Sequence, residues 1–250
     1  MSGALRDPTP PGTPRADAAE GVRIVPSEAW HAPHLEALQV TCFPNLGPQE
    51  LMRAEHFLRH REVFAEADLV AEAGGARAGV APLGAPPTDT AAGAVLAAPR
   101  VVGLGSGFFT DFDFAHPDHT FRDMIDDGWF GHHDPDGAWY YGADVSVHPD
   151  YRGLGLARRL YDARKALVRR HGKRGIVAGG ALPGYPRYRD ALAIEDYVAR
   201  VVAGELFDPT LTVQLRNGFV VEGILRGYLE DHATGDCATL IVWRDPAFAG

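Results

Sequence analysis

The order of elements along the chain predicts an α/β (α+β) fold, one domain on a central mixed sheet flanked by helices. Three observations carry this. Short apolar or alternating runs that read as strands recur from "VRIVP" at residue 22 to "CATLIVWRD" at 237–245. Helical patterns fall between these runs rather than in a block of their own. The C-terminal part reads strand–helix–strand–helix–hairpin, and 250 residues suffice to bury one substantial core.

Residues 1–20 are Pro-rich and polar and predict a disordered leader, leaving 21–250 as the folded domain. After "VRIVP", Ser27 is placed to cap a helix bearing Trp30, Leu35 and Leu38, unless Pro33 marks its true start. "PQELMRAEHFLRHREVF" at 48–64 predicts a second amphipathic helix, with Leu51, Ala54, Phe57 and Leu58 at core spacing. "DLVAEAGGARAGVAPLG" reads as a hairpin closed at Gly74-Gly75, and "VVGLGSGFFTDFDF" as a strand bulged at its glycines. Two stretches read as insertions: the Ala/Pro/Gly-rich 84–100, and 113–137, which is rich in Asp and contains the single cation Arg122. "AWYYGADVSV" is then a strand, 155–171 a helix, "GIVAGG" a strand and "IEDYVARVVAGEL" a helix. Asp208-Pro209 starts a short helix that Asn217-Gly218 stops, and "FVVEGILRGYLE" and "CATLIVWRD" close the chain as a hairpin.

Bulk properties narrow the function classes. A formal net charge of −9 argues against non-specific nucleic-acid binding, which needs a basic surface. Cys42 and Cys237 stand far apart in no metal-like spacing, as expected of reduced thiols. No apolar run approaches the roughly 18 residues of a membrane span, and no secretion signal opens the chain, so a cytoplasmic protein is expected.

The chemistry concentrates in "VSVHPDYRGLGLARRLYDARKAL" at 145–167. A strand ends at a proline, and Arg152, Gly153, Leu154, Gly155, Leu156 and Ala157 then lead into a helix. Missing side chains at 153 and 155 let ligand oxygens reach the backbone, and free N–H groups at a helix start suit a pyrophosphate. Arg152, Arg158 and Arg159 add cations. A plain strand-to-helix turn is the competing reading. No Gly-Lys-Ser/Thr follows, so the turn is not a Walker A loop, and it lacks the third glycine of a dinucleotide fingerprint. "GLGSGF" at 103–108 reads as bulged strand.

This segment resembles the acetyl-CoA-binding motif of the GCN5-related N-acetyltransferases, a strand ending in V-x-P followed by Arg/Gln-x-x-Gly-x-Gly/Ala. Arg152, Gly155 and Ala157 fill its positions. The run from "RRLYDARKALVRRHGKRG" through "NGFVVEGILRGYLEDHATGDCATLIVWRD" is similar to a narrower branch, the acetyltransferase domain fused ahead of carbon–nitrogen hydrolase (nitrilase-like) domains. The resemblance covers most of 105–245 and, more loosely, 22–80. It implies a mixed, mostly antiparallel central sheet with a splayed central strand pair, and acetyl-CoA as co-substrate. Pantetheine would lie along Val145 and Val147, and the pyrophosphate on the 152–158 turn. A backbone N–H near Ser146 or Val147 would stabilise the thioester oxyanion. It further implies direct attack by a primary amine of a small molecule, without a metal, and a sheet edge on which a homodimer could form.

The family's usual general acid, a tyrosine four residues before the Gly of the final "GF", is replaced here by Gln214, and Asp208 stands where Asn is frequent. Tyr185, Tyr188 and Tyr228 are the substitutes, each also readable as a packing tyrosine. Asp144 alternates with Val145 and Val147 and so faces away from them; it is the candidate base, or else a structural carboxylate. The acidic 111–136 stretch is either an amine entrance or a solvated loop face. "HPDH" at 116–119 and "HHDPD" at 132–136 match no metal-ligand spacing and read as surface loop. Two functions compete: an N-acetyltransferase, and a catalytically silent acyl-CoA-binding module that senses CoA or partners a hydrolase. A different nucleotide-binding α/β enzyme is a third.

Overall fold

The computed structural model describes residues 21–74 and 99–248, so the leader, the end of the first hairpin and most of the 84–100 insertion lie outside the described residues. A seven-stranded sheet runs through the middle. Its strands are β1 (Val22–Pro26), β2 (Asp68–Ala73), β3 (Arg100–Thr110), β4 (Trp139–Val147), β5 (Gly175–Gly180), β6 (Val220–Leu225) and β7 (Ala238–Arg244). Their spatial order is β1-β2-β3-β4-β5-β7-β6. Every neighbouring pair is antiparallel except β4 and β5. The sheet is therefore mixed and mostly antiparallel, as the resemblance implied.

Both faces of the sheet are covered, which is why its central strands are apolar at consecutive positions rather than alternating with polar residues. Tyr141, Val177, Leu240 and Val242 pack toward α1 (Ala32–Cys42), α2 (Ala54–Val63) and the one-turn α3 (Phe121–Met124). Their neighbours Tyr140, Ile176, Ile241 and Trp243 pack with α4 (Leu156–Arg170), α5 (Ile194–Val202) and α6 (Leu211–Arg216). Leu156 and Leu160 of α4 also cover Val22, Ala71 and Val102, which pins the start of that helix to the sheet.

Two details prepare the site. First, β4 and β5 pair only at Tyr140–Ile176 and Tyr141–Val177. Beyond that point β4 stays paired with β3 as far as Val147, and β5 with β7 as far as Gly180. The two strands therefore part, and their inner edges border a slot. Second, β4 carries a bulge: Gly142 pairs with Gly107 and Asp144 with Ser106, leaving Ala143 as the extra residue. The buried Arg164 of α4 seals this irregularity. Its Nη2 donates to the Ser106 carbonyl (3.1 Å) and its Nη1 to the Asp144 carbonyl (3.4 Å), with the guanidinium over the Tyr140 ring. Gly142 leaves the room that this guanidinium fills; a Cβ there would collide with it.

Of the two starts open for α1 the structure takes the one at Pro33, and the start of α2 departs from expectation. Ser27 does not cap α1; its N–H donates to the Asp68 carbonyl, a 3-10 turn spans Ala29–His31, and α1 opens with Pro33 in its first turn. The proline's fixed φ decided the boundary. Residues 48–50 form a separate 3-10 turn, and α2 begins only at Ala54. That helix buries His56, Phe57 and His60, whereas Leu58, expected in the core, is 42% exposed. His60 displaces an apolar residue because its polar atoms are satisfied: Nδ1 faces Asp68 at 3.1 Å, Nε2 lies 2.6 Å from the Gly128 carbonyl, and the ring stacks on Phe130.

Candidate active site

The glycine turn reaches its shape through left-handed backbone. Gly153 has φ 77° and Gly155 φ 75°, values that a side chain at Cβ disfavours. Gly155 caps α4, so the first N–H groups of a 15-residue helix open onto an exposed turn and carry the positive end of its dipole. Arg152, Gly153 and Gly155 are exposed, Leu154 and Ala157 half-buried, and Leu156 anchors in the core. The arginines have separate duties. Arg159 donates to the Val22 carbonyl and ties the turn to β1, Arg152 donates to the Val147 carbonyl, and Arg158 remains exposed with a loose partner in Asp162 at 3.8 Å.

The slot between β4 and β5 leads from this turn into the sheet. Val145 and Val147 belong with the α4-side clusters, while Asp144 and Ser146 turn to the α1 side. An extended chain lying in the slot would meet the inner-edge amides and carbonyls of β4 that β5 does not pair. The exposed glycine turn and this edge together fit a pyrophosphate followed by a pantetheine arm.

Asp144 is buried. Its Oδ2 accepts from Gln39 Nε2 of α1 at 2.7 Å and from the Ser146 hydroxyl at 3.0 Å. Burial pushes its carboxyl from 3.8 up to about 6, against the opposing pull of those two donors and of Arg164. Cys42, at the end of α1, shares this neighbourhood, and burial followed by the Asp144 charge raises its thiol to about 11. A thiol held in that state is not a nucleophile at neutral pH.

Tyr228 lies past the end of β6, held by backbone bonds from its N–H to Asp236 and from the Phe121 N–H to its carbonyl. Its hydroxyl is 2.8 Å from that of Tyr141, the last β4 residue paired with β5. Gly179 is glycine because a Cβ would strike the Tyr228 ring. Tyr141 in turn lies 2.9 Å from His119 Nε2. Burial raises both tyrosines well above the ordinary phenol range, and lowers His119. His119 therefore does not lie on a plain surface loop, as "HPDH" suggested. It is half-buried against Phe112, Tyr141 and Tyr228, and it borders an open cleft of about 490 Å³ lined also by Thr110, Asp111, Asp123, Met124, His132 and Asp134.

The remaining sequence candidates lie elsewhere. Tyr185 packs against Tyr197 on the α4 side, and its hydroxyl donates to the Leu192 carbonyl at 3.1 Å; Tyr188 also packs on Tyr197. Gln214 is buried facing Gly180. Asp208 accepts four hydrogen bonds, from Tyr197 Oη, Gly184 N, Thr210 N and Leu211 N, all within 2.9 Å. That carboxylate is fully occupied in starting α6 and holding the β5–α5 loop. Sequence reasoning missed His119, Tyr141 and Gln39. The doubled tyrosine in "WYYG" was a signal that one ring must face each side of the strand, but its partners at 119 and 228 are joined only by the fold. Among the described residues there is no group of three metal-ligating side chains, and no helix is long and apolar enough to cross a membrane.

Comparison with known proteins fits this geometry. The chain is 34% identical over 209 residues to "Probable hydrolase YhcX" of Bacillus subtilis (strain 168), a match that covers 83% of this chain and 36% of that protein. The chain thus spans only about a third of that relative's length. It is 29% identical over 212 residues to "Uncharacterized N-acetyltransferase YkwB" of the same organism, covering 84% of this chain and 83% of that protein. Among solved structures, the loading GNATL domain of CurA from Lyngbya majuscula superposes with a TM-score of 0.68 at 17% identity, over 89% of this chain and 97% of that one. The GphF GNAT-like decarboxylase in complex with isobutyryl-CoA gives 0.67 at 22%, over 89% and 98%. The acetyltransferase (GNAT) family description matches residues 32–183, more than half of the sequence. The chain belongs to the acetyltransferase (GNAT) family.

Proposed function

We propose that the protein is an acetyl-CoA-dependent N-acetyltransferase acting on a primary amine of a small molecule. The observation that carries this reading is the junction of the left-handed Gly153–Gly155 turn with the slot where β4 leaves β5. Residues 152–158 would hold the pyrophosphate, and the stretch of β4 beyond its pairing with β5, at Val145, Ser146 and Val147, the pantetheine amides and the thioester oxygen. Acetyl-CoA, when bound, supplies an acyl group on a fair leaving group. The residues of this chain then orient the amine and move its protons.

A primary amine is mostly protonated at neutral pH and must lose a proton before it attacks. Asp144 serves this step: it lies on the α1 side of β4, buried, with a carboxyl near pH 6 that can accept and return a proton. Tyr228 serves the second proton transfer, at the point where the strands part. The acidic cleft beside His119 concentrates cationic amines.

The test is release of free CoA thiol from acetyl-CoA with a panel of small primary amines, with the mass of the acetylated product as confirmation. Amine-dependent release supports the reading. Binding of acetyl-CoA without release for any amine supports the second reading, a silent acyl-CoA-binding module that partners a hydrolase. Gln214 in place of the expected tyrosine and the similarity to part of YhcX favour keeping that alternative.

A further inference from the structure

We propose that His119, Tyr141 and Tyr228 form a one-way proton relay that carries the amine proton from the β4–β5 slot out to the acidic cleft. The proposal rests on the acyltransferase reading above and adds to it the route and direction of a proton.

The direction follows from which atoms can only accept or only donate. His119 Nδ1 lies 2.6 Å from the Pro117 carbonyl, which has no hydrogen, so Nδ1 carries the proton of that bond. Nε2 of the neutral ring is then an acceptor, and the Tyr141 hydroxyl 2.9 Å away must point its hydrogen at it. Tyr141, having spent its hydrogen, can only accept from the Tyr228 hydroxyl at 2.8 Å. Every link thus points from the slot toward His119. A proton arriving at Tyr228 can move outward without any hydroxyl first turning round.

As the amine nitrogen bonds to the acyl carbon, the carbon–sulfur bond breaks with its electron pair going to sulfur, and the nitrogen sheds one proton. Tyr228 takes it while passing its own hydrogen to Tyr141, and Tyr141 passes its hydrogen to His119 Nε2. Both tyrosines end neutral and His119 ends as an imidazolium. The charged groups around the relay suit this outcome. Asp118 and Asp123 act on His119 from its own loop, Asp111 and Asp134 line the cleft with His132, and Glu50 is the carboxylate that acts on Tyr228. The cleft carboxylates favour the imidazolium and return its proton to solvent. Burial keeps the resting ring neutral and ready to accept. His119 and Tyr141 are positioning residues, since they act through Tyr228.

Two measurements test the relay. In the free protein, 15N NMR of the histidine rings, with His119 assigned by its loss in His119→Gln, should show a bare Nε2 and a protonated Nδ1 at neutral pH. A ring protonated at Nε2 instead would reverse Tyr141 and overturn the proposal. With an amine that is turned over, His119→Gln and Tyr141→Phe should each lower kcat by about ten- to a hundredfold, with the affinity for acetyl-CoA unchanged. The double variant should be no slower than the worse single one, because the two act in series. The acid limb of the wild-type kcat profile should follow the His119 titration seen by NMR and vanish in His119→Gln. Full turnover with an unchanged pH profile in both variants would sink the relay and leave the acyltransferase standing. A wild type that turns over no amine would sink both, whatever the tautomer.

Discussion

At the scale of single residues, Asp144 and Tyr228 owe their chemistry to burial. Asp144 has two donors on one oxygen and a carbonyl bond to a buried arginine, yet desolvation still outweighs them. Its folded value of about 6 stands above the ordinary 3.8, so the fold favours the protonated form. That contribution is complete below about pH 4 and is lost as pH rises through about 6. Asp144→Asn, neutral throughout, is therefore expected to gain stability relative to wild type between about pH 4 and 7, measured as the difference in Tm across that range. The same substitution should remove a limb near pH 6 from kcat/KM. The facing of Asp144 was legible in the sequence, because alternation with Val145 and Val147 sets it on the other side of the strand. The bulge at Ala143 shifts the alternation by one residue, which brings Asp144 to the same side of the sheet as Tyr141. His119 was not legible: nothing in "HPDH" distinguishes a half-buried ring from an exposed one until Tyr141 and Phe112 are placed around it.

At the scale of elements, the motifs with a strict backbone requirement were the readable ones. The glycines at 153 and 155 and the strand before them predicted turn and helix correctly, because left-handed φ values leave few alternatives. Asp208-Pro209 likewise announced α6, although the described helix starts at Leu211 with Asp208 accepting from Thr210 N and Leu211 N. Asp208→Ala should cost about 3 kcal/mol or more, since it strands the buried Tyr197 hydroxyl and three backbone amides. Urea unfolding checks this, and a loss below about 1 kcal/mol would contradict the structural role given to that carboxylate. The elements left open or misjudged from sequence were those decided by competition. Ser27 lost the start of α1 to Pro33, and Leu58 lost its core place to His60, whose partners Asp68 and Gly128 are remote in sequence.

At the scale of the whole molecule, the two faces of the sheet divide the labour. On the proposed reading the α4 side, with Arg164 sealing the bulge and Leu156 and Leu160 fixing the helix start, would build the cradle for phosphates. On the same reading the α1 side, with Asp144, Tyr141, Tyr228 and the loop bearing His119, would face the amine. The parting of β4 and β5 is the passage between them. From the sequence alone the parting came only with the family resemblance, since periodicity cannot tell a paired strand edge from a free one. The central claim is that the glycine turn and this passage hold acetyl-CoA, and thermal unfolding of wild type and Gly155→Trp with and without acetyl-CoA tests it most directly. At about 100 times its Kd the ligand should add roughly 2.7 kcal/mol, a rise of roughly 5–10 °C for a protein of this size. That rise is expected in wild type and its loss in the variant. An equal rise in both proteins, or none in wild type, would contradict it.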